Sequence, residues 1–298
     1  MTDGAHPEFG GDWTRIKLSI LEKYLDSYTT VMKKQEWAEL VYIDAFAGTG
    51  RIMRDPQLGN EADAWESEAF LTGSVERALR VGDRRFDRLV LVEMDEERHA
   101  SLAELRATHP DRTICPVKED ANAFLQGFNA DRYGCRGSFN DWRGVLFVDP
   151  FGAQLDWSTV EHVASLERLD MWLLFPVSAI GRMLPVSRDP DGIPEGWRNR
   201  LTRVFGDERW RTLYTKHPQL TFLPEKGPQV REHGVDALLD LYRGKLAEVF
   251  GDRLLDDSRT LRNSTNSPLF ELIFCVGSPS PPAIRAAKKI ARHLIKTI

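Results

Sequence analysis

The stretch AELVYIDAFAGTGR, residues 38–51, decides the fold. Leu40–Ile43 is an unbroken apolar run, the pattern of a strand buried on both faces of a sheet. Asp44 closes the run, and Gly48 and Gly50 follow in the order D-x-F-x-G-x-G. With no Cβ, the two glycines permit a sharp turn and a close approach of the backbone to a ligand. Taken alone, the stretch is equally a tight turn after a buried strand. A P-loop is excluded because G-x-x-x-x-G-K-[ST] is missing, and the third glycine of a dinucleotide fingerprint would fall near Asp55, where there is none. Phosphate binding is therefore not the favoured use.

Working outward, RLVLVEMD (88–95), TICPVKED (113–120), GVLFVDPF (144–151) and MWLLFPV (171–177) read as four more short strands. Helical text separates most of them, around His99–Thr108 and Trp157–Leu166, with a crossover helix expected over 72–81. Before the first strand, WTRIKLSILEKYLDSYTTVMKK puts Ile16, Ile20, Leu21, Tyr24, Leu25, Tyr28, Val31 and Met32 on one helical stripe. This alternation predicts an α/β, Rossmann-like doubly wound sheet covered on both faces. Such sheets bind ligands at the carboxyl ends of their strands. Asp44, Glu93, Asp120 and Asp149 all fall there.

From about 181 to 257 the text becomes charged and tryptophan-containing, including RNRLTRVFGDERWRTLY and VDALLDLYRGKLAEVFG joined by LPEKGPQ. It reads as a helical insertion and a candidate substrate- or partner-docking segment. The strand pattern returns at 258–263 and 268–276, an antiparallel hairpin around the turn-rich Asn263–Pro268, followed by a helix from about Pro282. The expected division is a core over 1–180, the insertion over 181–257, and closing strands with a final helix over 258–298.

The chain has 298 residues, 42% of them hydrophobic, enough for one large domain or a core of about 200 residues carrying an insertion. A net charge of −5 argues against a generally basic nucleic-acid coat but leaves a local basic face open. Cys115, Cys135 and Cys275 are far apart, without CxxC, so neither a disulfide framework nor a zinc site is indicated. The seven histidines have no ligand spacing, and no metal is expected. MTDGAHPEFGGDW is not a leader, and no run offers the roughly 18 apolar residues needed to span a membrane. A soluble cytoplasmic protein without a membrane partner is the expectation.

A carboxylate at Glu93 can accept both hydroxyls of a ribose, and is otherwise a solvated strand end. Asp120, opening EDANAF, can bond an adenine amine while Ala121 offers its N–H; Asp before a helix is equally an N-cap. In VLFVDPFG, Pro150 fixes its own φ and holds Asp149 extended, so the carboxylate and the proline carbonyl stand side by side as acceptors. Such a pair can grip an exocyclic amine and stabilise the positive charge that develops as its nitrogen is alkylated. Phe151 is a candidate stacking surface, and Phe175 and Pro176 are candidate pocket walls.

In the order of these motifs the chain resembles the class I S-adenosylmethionine-dependent methyltransferases, over roughly 14–180 and the hairpin at 258–276. The resemblance implies that Asp44, Phe46, Gly48 and Gly50 hold the methionine end of S-adenosylmethionine. It further implies that Glu93 and Met94 hold the ribose and its surroundings, and that Asp120 and Ala121 read the adenine. Asp149, Pro150 and Phe151 would be catalytic. DPFG resembles the DPPY of nucleobase amino-methyltransferases, and more closely the DPFG of tRNA guanine-N2 dimethyltransferases. The run KLSILEKYLDSY, YIDAFAGTG, GSVERAL, VEMD, VDPFG, LLFPVSAIGR, LTRVFGDERW and SPLFELIFCV is similar to the three-Cys-motif partner (TcmP) family across nearly the whole chain. Thr49 and Ser74-Val75 depart from that family's usual proline and Ser-Pro, and the three-cysteine motif itself is absent here.

The expected activity is methyl transfer to an exocyclic amine of a nucleobase in RNA or DNA, guanine N2 or adenine N6. Two rivals stand beside it: a small-molecule or protein methyltransferase, and a non-catalytic subunit that binds a three-Cys-motif protein. Two basic stretches are candidate nucleic-acid surfaces or plain solvated faces. One is Arg182, Arg188, Arg198, Arg200 and Arg203 near Trp197; the other is Arg285, Lys288, Lys289, Arg292 and Lys296 on the last helix.

Overall fold

A computed structural model describes residues 12–47, 73–82, 84–128, 142–186, 189–216, 229–231 and 234–298. Gly48, Gly50, Cys135, Arg188 and most of LPEKGPQ lie outside the described residues. The apolar runs form β1 (Glu39–Asp44), β2 (Arg88–Val92), β3 (Ile114–Val117), β4 (Trp142–Val148) and β5 (Leu169–Phe175), all parallel. Two three-residue strands that the sequence did not signal, β6 (Tyr214–Lys216) and β7 (Gln229–Arg231), pair by themselves. β8 (Arg259–Arg262) and β9 (Pro268–Cys275) complete a seven-stranded mixed sheet in the order β3-β2-β1-β4-β5-β9-β8, with β9 antiparallel to both neighbours.

Although the runs are continuously apolar, their side chains still alternate between two cores. Val41 and Ile43 of β1 face one cluster and Leu40 and Tyr42 the other. The second cluster is covered by α1 (Asp12–Met32), α2 (73–80) and α9 (Pro281–Thr297), with Leu102 of α3 (Glu96–Thr108) contributing. The first is covered by α4 (Ala121–Gln126), α5 (Trp157–Leu166), α6 (Val177–Met183), α7 (Glu195–Phe205) and α8 (Val235–Phe250). Leu201, Phe205, Trp210 and Tyr242, all within 181–257, share that cluster with Val41, Leu146 and Phe175. The segment thus packs onto the sheet through a common core.

At the sheet's centre β1 and β4 approach closely because Gly144 has no side chain: a Cβ there would stand 2.3 Å from the Val41 carbonyl oxygen. Among the described residues no helix is long and apolar enough to cross a membrane.

On α1 the expected stripe holds at Ile20, Leu21, Tyr24 and Leu25, but Val31 is 50% exposed while Thr29 is buried. Near its N-terminus the helix also buries Thr14 and Lys17, which lie at helical spacing from Leu21 and Tyr24 but whose polar side chains read as solvated. α1 is fastened to the sheet by Asp170 of β5, whose Oδ2 accepts from the Tyr24 hydroxyl at 2.6 Å and whose Oδ1 accepts from the Gly277 N–H at 2.8 Å. Burial pushes the Asp170 carboxyl up to about 6, against the pull of these two donors. Removing one donor from a buried acceptor costs about 1–3 kcal/mol. Tyr24→Phe is accordingly expected to lower the unfolding free energy by that much, read as a lower urea midpoint with an unchanged m-value; an unaltered midpoint would mean that the tie contributes nothing.

Candidate functional site

The strand order reverses between β1 and β4, the place where open α/β sheets bind ligands. Three of the four acidic strand ends converge on this edge. Asp44 is the last residue of β1, Glu93 directly follows β2 on one side, and Asp149 directly follows β4 on the other. β1 hydrogen-bonds to both neighbours, and just beyond it the chain continues the ladder: Ala45 N–H bonds the Phe147 carbonyl, and Ala47 N–H the Val92 carbonyl. Phe46, between them, is buried among the first cluster.

Asp44 is 1% exposed, and its Oδ2 accepts from Ser74 Oγ of α2 at 2.7 Å and from the Tyr42 hydroxyl at 3.2 Å. Its Oδ1 is buried without a partner among the described residues. Burial pushes this carboxyl up to about 7, and Asp149 nearby adds to the rise, while the two hydroxyls and Lys17 oppose it. Glu93 is 2% exposed, its Oε1 accepting from the Asp95 N–H at 2.8 Å and its Oε2 likewise unpartnered among the described residues. Burial raises it too to about 7, the Asp95 N–H working against that. An unsatisfied buried acceptor costs about 1–3 kcal/mol. Two such oxygens, on adjacent strands of one edge, can accept hydroxyl or cationic donors. Next to Glu93, Met94 presents 57% of its surface to solvent and offers an apolar contact at the same edge.

Asp120 stands three residues past β3 and is the N-cap of α4, its Oδ1 accepting from the Asn122 and Ala123 N–H groups at 3.0 Å each. Ala121 is buried at the helix start. Asn122 then joins this turn to the chain after β4: its Nδ2 donates to the Gln154 carbonyl, and its Oδ1 accepts from the Asp156 N–H and Thr159 Oγ1, each at 2.9 Å. Sequence reasoning missed Asn122. Its two roles lie more than thirty residues away, so no local pattern marks it.

In DPFG, Asp149 and Pro150 are buried, Phe151 is half-buried with its N–H on Gln154 Oε1 at 3.2 Å, and Gly152 takes φ +62°, a conformation that favours glycine. Pro150, Gly152, Leu173, Phe175, Pro176 and Tyr242 line an apolar cavity of about 10 Å³. That is room for roughly one water, and Phe175 and Pro176 stand on its wall. Asp149 Oδ2 accepts from Lys17 Nζ at 3.0 Å, with the lysine side chain 2% and the aspartate side chain 10% exposed. The Lys17 ammonium lies 4.3 Å from the Trp13 ring centroid and 5.7 Å from that of Phe270 on β9, and those two rings stack at 5.1 Å.

The basic stretches are partly engaged with the chain's own carboxylates. Arg203 bonds Asp156, Arg211 bonds Asp191 at 2.7 Å, and on α9 Arg292 and Lys296 bond Asp257 at 2.6 and 2.9 Å. Among the described residues no group of histidine, cysteine and acidic side chains is arranged to hold a metal.

No protein-family model and no curated protein matches the chain. Among solved structures, the chain is similar to protein LPL1258 from Legionella pneumophila str. Philadelphia 1, of the family model DUF519, at 12% identity and a TM-score of 0.45, over 97% of this chain and 94% of that one. A likeness this weak says nothing about the site.

Proposed function

We propose that the protein is an S-adenosylmethionine-dependent methyltransferase acting on an exocyclic amine of a nucleobase in RNA or DNA, guanine N2 or adenine N6. One observation carries the reading: the unpartnered buried oxygens of Asp44 and Glu93 flank the same switch point as the Asp149-Pro150 strand end. The antiparallel β9 inserted between β5 and β8 supports it, since the class I methyltransferase sheet ends in such a strand. The TcmP resemblance belongs to the same proposal.

The donor set fits the cofactor. Glu93 would accept the ribose hydroxyls with Met94 beside it, Asp44 with Phe46 and the Gly48–Gly50 turn would hold the methionine end, and Asp120 and Ala121 would read the adenine. Bound there, S-adenosylmethionine supplies a methyl group on a cationic sulfur. Asp149 accepts a hydrogen bond from the acceptor amine, orients its lone pair and compensates the positive charge that forms on nitrogen. Phe151 packs beside the base.

A rival reading, a methyltransferase-fold subunit that binds a three-Cys-motif protein without catalysis, draws on one observation: Asp149 already commits one oxygen to Lys17. Titration calorimetry with S-adenosylmethionine separates the two. Saturable binding is expected, and none at millimolar cofactor sinks the enzyme reading. With cofactor bound, methyl transfer to mixed cellular RNA and DNA, resolved by mass spectrometry of nucleosides, is expected to yield an N-methylated guanosine or adenosine. Methylation confined to protein or small molecules would overturn the nucleobase assignment.

A further inference from the structure

We infer that Lys17 is a positioning residue for Asp149: its ammonium fixes Oδ2, so that Oδ1 is the atom turned to the acceptor amine. This rests on the methyltransferase reading above and assigns a role to a side chain outside every motif of the strand edge.

Geometry comes first. Lys17 enters from α1, before the first strand, and meets Asp149 132 residues later with both side chains largely removed from water. Trp13 and Phe270 stand beside the ammonium, so three elements, α1, β4 and β9, fix a single contact. Aromatic faces attract a cation and at the same time keep water from it. A lysine stem has four rotatable bonds, and packing of this kind removes most of their freedom. The carboxylate it holds is correspondingly fixed in direction.

Stability does not account for the arrangement. A buried ion pair gains from its Coulomb attraction roughly what it loses in desolvation, and apolar replacements of equal volume are commonly as stable or more so. What the pair does supply is an acceptor held in one direction at the strand edge. Asp44 sits near enough for Asp149 to raise its proton affinity and for Lys17 to lower it. Lys17 is thus a cation set against two carboxyl groups at one strand edge.

The test uses the full chain with S-adenosylmethionine and the nucleic acid that wild type methylates. Lys17→Met is expected to lower kcat by roughly 100-fold, with the cofactor Kd within about twofold of wild type. Lys17→Arg keeps the charge and is expected to recover part of the loss. In an Asp149→Asn background, Lys17→Met is expected to cost nothing further, because the partner to be positioned is already neutral. The double variant also buries no unpaired charge, so it keeps the test open should Lys17→Met alone fail to fold. Full activity of Lys17→Met, or an equal loss with and without Asp149, overturns the inference. Wild type without any methyl transfer would instead sink the reading on which it rests, and the two failures are told apart by the wild-type measurement alone.

Discussion

Asp149→Asn is expected to lower kcat for methyl transfer by roughly 10²–10³-fold while S-adenosylmethionine binds as to wild type. The amide keeps the shape of the side chain and can still present an oxygen to Lys17, so the local packing around Nζ at 3.0 Å survives. What it removes is the negative charge opposite the nitrogen that becomes cationic. Asparagine is the better probe than alanine, which would take from a buried ammonium the acceptor that Asp149 supplies, a cost of about 3–5 kcal/mol, and would mix folding with chemistry. Single-turnover transfer from labelled cofactor, read beside calorimetric cofactor affinity, separates the two quantities. A variant that still transfers methyl at the wild-type rate would show that the reacting amine is bound elsewhere.

The second large effect is one of pH. Asp44 and Glu93 rise from ordinary values of 3.8 and 4.5 to about 7 in the folded chain, chiefly by burial. Between about pH 4 and 7 the native protein therefore holds protons that the unfolded chain has released. Stability conferred by these two groups is full below the unfolded values and is lost as pH rises through the folded ones. The unliganded protein is expected to be less stable to urea at pH 8 than at pH 5.5, by on the order of 2–4 kcal/mol, and Asp44→Asn is expected to flatten that dependence. Cofactor binding runs the other way. Ribose hydroxyls and a cationic methionine end favour the ionised carboxylates, so affinity should climb as pH passes 7 and binding at pH 6.5 should release protons. Calorimetry in two buffers of different ionisation enthalpy reads the release directly; identical enthalpies in both, with a flat affinity profile, would rule these two carboxyls out of the cofactor site.

How far the sequence alone reached depends on the distance over which each residue acts. α5 was legible to its ends, Trp157–Leu166, because its apolar period lies within the helix. β1 and β4 were legible because a buried central strand needs an unbroken apolar run, and the acidic residues that end those runs fell where the sheet opens. Asp120 carried two readings in the sequence, adenine contact and helix cap, and in the fold its Oδ1 makes the cap. Lys17 was illegible: a charge on an amphipathic helix reads as solvated unless its partner 132 residues on is known. Ser74, which donates to Asp44 Oδ2 from 30 residues away, was missed for the same reason. Val31 failed: it is 50% exposed although Tyr28 and Met32 on the same last turns pack against the second cluster. β6 and β7 are three residues each, too short for any periodicity to register.

The antiparallel strand β9 also governs the order in which the molecule can assemble. β5 is buried along all seven of its residues, and its outer edge is paired only when Pro268–Cys275 dock about a hundred residues later. While the chain is being synthesised, β1 to β5 can associate first, but they do so with β5 as an open, apolar sheet edge, the kind of surface that recruits strands from other chains. Gly277 and Phe270 come with the same late strand, so the Asp170 tie and one wall around Lys17 are completed by the closing event that hides that edge. A nascent chain that has not reached residue 275 is therefore at once prone to aggregate and without a finished strand edge at Asp149. One step of folding thus hides the β5 edge and completes the contacts around Lys17 and Asp170.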